Sequence, residues 1–506
     1  MTSTFFGLET ARRGMTTQQG ALYTTGHNIS NANTPGYTRQ RVNFQQTEPY
    51  PAPGLNASKI PGQIGTGVEA GSVERVREGI LDLQYRGENT KLGYWDSRSE
   101  ALQKMEEIMN EPSDTGLANT MDQFWQSLQD LAVNPTNAGA RAVVRQRGEA
   151  VSETFNYLSN SLTSVRGDLK SEVDVSAKQI ESIGRQINNL NDQISSVEPN
   201  GYLPNDLYDE RDRLIDQLSS LVKVDVTYTG SGGNSLATAQ GVATVKIVGS
   251  NNTAVGTLVD GPGKTSASVS VSYNSDGLAS GLTVGSGTVN FDQLDKSGKL
   301  KSLVDSFGYV ESSNKSHGLY VEMQDNLDTM AYNFAQEFNK VHKAGYNLTD
   351  IKNNSHTPVD FFAPMASEKG AAAAIKLSDE ILNTTDNIAA ASTTSIGDGT
   401  NATLLGNVKS GTFTIGGKST SFQNFYESLV GGMAVDAQEA DKMTQNSTTL
   451  TDAVDQRRQS VSAVSLDEEM TNMVQFQHAY NASARMITIQ DEMLDKIING
   501  MGLVGR

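Results

Sequence analysis

The two ends of the chain carry the pattern that most constrains its fold, an apolar stripe with alternating steps of three and four residues. This alternation is typical of helices that pack along a coiled-coil seam. The sequence therefore predicts a long helix at each end of the chain. The stripe residues singled out for packing are Leu8, Met15, Leu22 and Ile29 near the start and Leu466, Met470, Met473, Tyr480, Ile487, Leu494 and Ile498 near the end.

The first of these helices is weak and stops at a polar turn. Its glycines at positions 14, 20 and 26 each cost a helix about 1 kcal/mol relative to alanine. Thr34 is disfavoured in helical conformation because it precedes Pro35, and Pro35-Gly36 suits the centre of a type II turn. We expect such ends to fold on association with neighbours. The alternative is an ordinary pair of helices that closes a domain within one chain.

Between the two ends, helical patterns alternate with β-rich stretches. Apolar residues continue at helical spacing from Phe155 to Ile194, and shorter helical patterns precede and follow them. From about residue 226 to 310, short β-branched runs are separated by Gly, Ser, Thr and Asn turns, which is typical of an all-β module. A helical pattern at 319–343 and a loop-rich stretch to about 420 come next. The predicted fold class is mainly α with β-rich insertions.

Composition excludes several classes of function. The chain has 58 acidic and 40 basic side chains, and this balance disfavours binding to nucleic acid or to an anionic membrane. Without cysteine it forms no disulfide, zinc-thiolate site or cysteine nucleophile. No stretch is long and apolar enough for membrane insertion, and the start lacks the pattern of a cleavable secretory signal. These rules alone predict a cytoplasmic protein.

Motifs that carry chemistry are weak throughout. The five histidines are scattered, and "GPGKTS" at 261–266 lacks the first glycine of a phosphate loop because Leu258 stands there. The carboxylates of "YDERDRLID" are predicted to form a solvated helix face, with Asp209 paired to Arg213 at i, i+4 spacing. We therefore predict no catalytic, cofactor-binding or metal-binding residues, and no enzyme activity.

Both terminal segments resemble one protein family. "HNISNANTPGYTRQRV" at 27–42 and "SLDEEMTNMVQFQHAYNASARMITIQDEMLDKIING" at 465–500 resemble the terminal signatures of the rod, hook and hook-associated proteins of the bacterial flagellum. The stretches "DLYDERDRLIDQLS" at 206–219 and "FQNFYESLVGGMAVDAQEAD" at 422–441 are similar to the hook-associated members that lie between hook and filament. The resemblance covers about 1–225, 315–345 and 420–506.

This resemblance implies a structural subunit that polymerises at the distal end of the hook. The terminal helices would pair as a coiled coil that is disordered in the free subunit, and Asn31, Thr34, Pro35, Gly36 and Tyr37 would redirect the chain outward. The implied partners are further copies of the chain, the hook protein, the second hook–filament junction protein and an export chaperone on the C-terminal helix. Type III export without a cleaved signal would place the protein outside the cell, which replaces the cytoplasmic prediction.

Four domains follow from these patterns. The terminal coiled-coil domain comprises 1–55 with 465–506, and the helical body comprises 56–225 with 311–345 and 420–464. A β-rich outer domain spans 226–310, and a loop- and β-rich insertion spans 346–419. The alternatives are another axial component, a hook or rod subunit, and a surface adhesin or hydrolase that carries the β insertion.

Overall fold

The computed structural model describes residues 5–51, 54 and 62–500. The predicted domain boundary at residue 55 and the segment 501–506 lie outside the described residues. The helices are α1 Phe6–Ser30, α2 Gly79–Met109, α3 Leu117–Val133, α4 Ala138–Val197, α5 Asn205–Leu221, α6 Lys299–Phe307, α7 Leu319–Ala344, α8 Leu348–Asn353, α9 Ala371–Ala374, α10 Asp379–Asn383, α11 Thr400–Asn407, α12 Phe422–Ser462 and α13 Leu466–Gly500.

The strands lie mainly in the middle of the chain. They are β1 Gln40–Gln46, β2 Val68–Arg75, β3 Val224–Thr229, β4 Val242–Val248, β5 Ala254–Asp260, β6 Thr265–Ser266, β7 Val269–Tyr273, β8 Ala279–Val284, β9 Gly287–Val289, β10 Tyr309–Val310, β11 Ser316–His317, β12 Phe413–Ile415 and β13 Lys418–Thr420. The terminal helices α1 and α13 pack together. The predicted fold class, mainly α with terminal helices that pair and β-rich insertions, is confirmed.

Helix α4 is 60 residues long and forms the spine of the body. At its start, Asn137 Oδ1 accepts hydrogen bonds from the backbone N–H groups of Gly139 and Ala140 at 2.8 and 3.2 Å. A row of apolar side chains along one face is buried, and it extends the stripe predicted from Phe155 to Ile194. Because intrinsic propensity stabilises a helix only weakly, this buried face is what keeps α4 helical.

An aromatic cluster joins the later part of the chain to the body. Phe124 of α3, Phe334 and Phe338 of α7, and Phe361 and Phe362 are buried, and neighbouring ring centroids lie 5.0 to 6.3 Å apart. Such contacts between aromatic rings stabilise the fold by more than the burial of their apolar area alone. Residues 346–419, with the short helices α8 to α11 and strand β12, are therefore packed against the helical body.

Two sheets occupy the centre of the sequence. Strands β3-β4-β5-β6 form an antiparallel sheet in chain order, and the "GPGK" part of the motif at 261–264 forms the turn between β5 and β6. The second sheet has the order β11-β10-β8-β7 with β9 paired to β8, and β10 runs parallel to β8. Asn191 of α4 exchanges two hydrogen bonds with the backbone of Ala243, at 2.8 and 2.9 Å, and so fixes the first sheet on the spine.

His342 at the end of α7 is a buried histidine held neutral by its contacts. Its Nδ1–H donates to Val359 O at 2.8 Å, and its Nε2 accepts from the Ala389 N–H at 2.9 Å. Burial lowers the pKa of His342 to about 4. A proton on Nε2 would remove the bond from Ala389, so the neutral ring is required by the fold.

We expect His342 to make stability fall in acid. Between pH 6.5 and 4 the unfolded chain binds a proton at this site and the folded chain does not, so its contribution is fully present above pH 6.5 and is lost as the pH falls. The loss amounts to about 3 kcal/mol between pH 7 and pH 4. Denaturant titrations at both pH values should show it in the wild type. His342→Gln should lack this loss of stability between pH 7 and pH 4. An equal pH dependence in both proteins would contradict the assignment.

Candidate assembly surface

Helices α1 and α13 form an antiparallel pair that brings the two ends of the chain together. Asn28 Nδ2 donates to Glu469 Oε2 at 3.1 Å, and a Cβ on Gly14 would lie 3.1 Å from Ser483 Oγ. The step from Asn28 back to Gly14 on α1 thus corresponds to the step from Glu469 forward to Ser483 on α13, and each step is fourteen residues. The terminal helices therefore pair within one chain, in antiparallel register.

A row of small residues on α1 faces α13. Gly7, Gly14, Ala21 and Asn28 follow one another at steps of seven, and Ala21 and Asn28 are buried. A Cβ on Gly7 would lie 2.9 Å from Gln490 Nε2, so the Gln490 side chain lies against the backbone of α1 there. The sequence reasoning missed this row because it followed large apolar side chains. The repeat of small residues every seven positions was the signal that could have revealed it.

The predicted stripe of α1 flanks this contact. Leu8, Met15, Leu22 and Ile29 each follow a member of the small-residue row by one position, and all four are partly buried. One residue corresponds to about 100° around a helix. These side chains therefore lie beside the contact with α13 and are not enclosed by it.

On α13 the predicted stripe is only partly covered. Met473, Tyr480, Ile487 and Leu494 are partly buried. Other apolar side chains on this helix, three of them from the predicted stripe, are exposed, and we call them the α13 apolar surface. Its members are Leu466, Met470, Val474, Met486, Ile489, Met493, Ile497 and Ile498, with exposed fractions from 43% to 71%. Exposed apolar side chains in this number on one helix are typical of an interaction site.

The polar segment after α1 folds back onto that helix. Thr34 N–H donates to Asn31 O at 2.9 Å, and Tyr37 N–H donates to Thr34 O at 3.1 Å. Gly36 has φ +83°, which the third position of a type II turn requires, as predicted. The Tyr37 hydroxyl donates to Asn28 Oδ1 at 2.8 Å. The turn residues therefore lie together, and Tyr37 fixes the turn to the α1/α13 contact.

After the turn the chain is attached to α5. Thr38 N–H donates to Asp209 Oδ2 at 2.9 Å, and Arg75 at the end of β2 donates to Asp209 Oδ1 at 2.7 Å and to Asp212 Oδ2 at 3.0 Å. The predicted pairing of Asp209 with Arg213 is wrong, since Arg213 pairs with Glu210. Helical periodicity shows only local partners, and the true partner lies 134 residues away in sequence.

The carboxylates of α5 are buried with arginines around them. Burial favours the neutral form of Asp212, but the nearby guanidinium groups, led by Arg77 and Arg75, outweigh it and hold the pKa of this carboxyl well below its usual range. For Asp209 burial dominates and raises the pKa, although Arg75 and the Thr38 N–H oppose it. We call Arg75, Arg77, Asp209 and Asp212 the junction cluster.

A second link connects α12 and α13 to the same place. Arg458 of α12 pairs with Asp216 of α5 at 2.6 Å and covers the ring of Tyr85 at 4.1 Å. Arg39 Nε donates to Glu469 Oε1 at 2.8 Å, and the Arg39 N–H donates to Ser462 O at 2.8 Å. Both helices of the terminal pair, at the end of α1 and the start of α13, are therefore tied to the body where α5, α12 and β2 meet.

A metal site and a membrane-spanning helix are both absent from the part of the chain that the structure describes. Within residues 5–51, 54 and 62–500, no three His, Asp or Glu side chains are arranged to hold a metal ion. In the same residues, no helix combines the length and apolar character that crossing a membrane requires.

Comparisons with known proteins agree with this architecture. The chain is 47% identical to flagellar hook-associated protein 1 of Bacillus subtilis (strain 168) over 512 residues, which covers 100% of both chains. The chain belongs to the flagellar hook-associated protein 1 family. It is a structural component of the flagellar axis. It is also 25% identical to flagellar hook-associated protein 1 of Escherichia coli (strain K12), over 97% of this chain and 99% of the relative.

Family comparisons match three parts of the chain. Residues 102–362 match the flagellar hook-associated protein FlgK helical domain. Residues 8–38 match the flagella basal body rod protein family, and 455–500 match the flagellar basal body rod FlgEFG protein C-terminal family. The fold is similar to that of the flagellar hook junction protein FlgK from Burkholderia pseudomallei, with a TM-score of 0.58 and 14% identity over 75% of this chain and 100% of that chain.

The register of the terminal pair is testable by an introduced disulfide. An ideal Cβ on Gly14 lies 3.9 Å from Ser483 Cβ, inside the range of about 3.5–4.5 Å found in disulfides, and the chain has no cysteine of its own. Gly14→Cys with Ser483→Cys should oxidise to a monomer of altered mobility on a non-reducing gel. Gly20→Cys with Ser483→Cys is the control, because nothing lies within 4 Å of a Cβ on Gly20. Links only between chains would contradict the intrachain pair.

The junction cluster should be sensitive to loss of one carboxylate. Asp212→Asn leaves buried guanidinium groups without their counter-charge, and we expect the free energy of unfolding to fall by about 3 kcal/mol or more. Asp206→Asn on the same helix is the control. Its side chain is 66% exposed, and we expect a change within about 0.5 kcal/mol. Denaturant titration of the full chain measures both, and similar values for the two variants would refute the role of burial.

Proposed function

We propose that the chain is the subunit that polymerises at the distal end of the hook and forms the hook–filament junction on which the filament is built. The observation that carries this proposal is the α13 apolar surface, which remains exposed beside the α1/α13 pair. Exposed apolar area of this kind needs a neighbour, and repeated copies in an axial assembly supply one.

The amount of exposed surface supports assembly. The chain exposes 25686 Å² of solvent-accessible surface. A compact monomer of its mass exposes about 18000 Å². The excess fits a subunit whose terminal pair extends from the body and gains its remaining contacts from neighbours. On this proposal Leu8, Met15, Leu22 and Ile29 pack against other subunits.

Each domain would have a different role in the assembly. The terminal pair, 1–55 with 465–506, would form the inner axial lattice and become fully ordered there. The helical body would set contacts with adjacent subunits, and the segments 226–310 and 346–419 would lie outside it. The junction cluster fixes the direction in which the body leaves the axis, because it holds Thr38 directly after the turn.

The partners follow from this arrangement. Copies of the chain would pack through the stripe residues, the hook protein would lie on the proximal side, and the second hook–filament junction protein would lie on the distal side. Before assembly, an export chaperone would cover the α13 apolar surface, and export would proceed without a cleavable signal. We further propose that the chain has no catalytic activity, since its relatives are structural flagellar proteins.

Labelling of isolated hooks tests the position in the flagellum. Purified, gold-labelled protein is added to hooks from cells that lack the gene, and the hooks are viewed by electron microscopy. Gold confined to distal hook ends supports the proposed function. Gold along the hook would indicate a hook or rod subunit, and no gold on competent hooks would favour an adhesin or hydrolase.

A single charge on the α13 apolar surface should block incorporation. Ile498 is 71% exposed, so Ile498→Asp leaves the described contacts of the fold intact and places a carboxylate where a neighbour would bury it. We expect at least tenfold fewer labelled hook ends than with the wild type. Val175→Asp on α4 makes the same change at a side chain that is 62% exposed, and it should label normally. Normal labelling by Ile498→Asp would remove this residue from the assembly surface.

A further inference from the structure

Methionine is distributed unevenly over the molecule. Among residues 5–51, 54 and 62–500, the methionines that are more than a third exposed all lie on α13: Met470, Met486 and Met493, with 58%, 48% and 45% exposed. Others are enclosed in the body. Those with at most 7% exposed are Met105, Met109, Met121, Met323, Met330 and Met433. Because the chain has no cysteine, its 15 methionine thioethers are its only sulfur atoms.

Two of the exposed methionines form one local site. Met486 and Met493 are seven residues apart, which places both side chains on the same side of α13. Ile489, 47% exposed, lies between them on the α13 apolar surface. The site is therefore a short apolar strip with a thioether at each end.

We propose that Met486 and Met493 form an oxidation-sensitive site at which hydrogen peroxide stops the free subunit from entering the axial assembly. The inference rests on the proposed function, because it requires that neighbouring subunits bury the α13 apolar surface. It adds that the oxidation state of two methionines determines whether that surface can be buried.

The chemical step is a two-electron oxidation of the thioether. A sulfur lone pair attacks one peroxide oxygen, so that an S–O bond forms and the O–O bond breaks. The second oxygen leaves as water after a proton moves to it, and the product is methionine sulfoxide. Each sulfoxide uses one molecule of hydrogen peroxide, which is reduced.

The consequence for packing follows from polarity. A sulfoxide oxygen is a strong acceptor, and it is hydrated without cost while α13 faces water. Burial against an apolar neighbour removes that hydration and supplies no donor. The property that makes methionine suitable here, a flexible and polarisable side chain that adapts to different neighbours, comes with this chemical sensitivity.

The experiment compares oxidised and untreated full-length protein in the hook-labelling assay. Peptide mapping by mass spectrometry selects a peroxide dose at which Met486 and Met493 are sulfoxides while Met105 and Met330 are not. We expect untreated protein to label distal hook ends, oxidised protein to label at least tenfold fewer, and methionine sulfoxide reductase to restore labelling. Oxidised protein that labels normally, or labelling that the reductase does not restore, would overturn the proposal.

Variants assign the effect to these two residues. Met486→Leu with Met493→Leu keeps an apolar strip without sulfur, and peroxide should not lower its labelling of hook ends relative to the same variant untreated. Met470→Leu removes the exposed methionine outside the strip and should stay sensitive. Loss of labelling by the oxidised double variant would refute the assignment. Untreated wild-type protein that labels no hook ends would contradict the proposed function itself, which is a separate result.

Discussion

The buried carboxylate of Asp212 is held between the arginines of β2 and the segment that follows it, and the orientation of the terminal pair depends on this contact. Arg75 joins Asp212 to Asp209, and Asp209 holds the backbone directly after the turn. Buried ion pairs add little net stability when complete, but their geometry is strict, because any displacement leaves a charge without its partner. On the proposed function the subunit joins two polymers, which requires a defined direction between its axis and its body. The junction cluster would supply that direction.

The terminal pair itself combines close approach at Gly14 with few fully buried apolar side chains. Gly14 lets α1 approach Ser483 of α13 closely and Gly7 makes room for the side chain of Gln490, but neither glycine buries a side chain of its own. Glycine also weakens the isolated helix. The pair is thus specific in register and modest in stability, and it leaves the larger apolar side chains at its flanks. These two properties are consistent with each other, since a strong intrachain coiled coil would enclose the residues that we propose for contacts with neighbours.

Much of the fold could be predicted from the sequence because its helices are long and periodic. The extent of α7, the helical character of α4 and the type II turn at Pro35-Gly36 all follow from local patterns. The contact face of α1 could not be found in the same way, because hydrophobic periodicity ignores glycine and asparagine. The burial of Asp209 was also missed. From sequence alone a carboxylate on a helix is predicted to be solvated, because the sequence does not show that a distant arginine such as Arg75 contacts it.

The polar residues near the turn explain why this part of the chain carries so recognisable a sequence. Asn28 contacts three elements at once, since it donates to Glu469 of α13, accepts from Tyr37 of the turn and pairs with the backbone of Gln40 in β1. A hydrophobic side chain could fill the same space, but it would fix neither the register nor the turn. Apolar stripes on both helices allow several registers, whereas this hydrogen-bonded site allows one. The register of α1 against α13 is therefore set by polar groups, which leaves the apolar residues free for the assembly contacts that we propose.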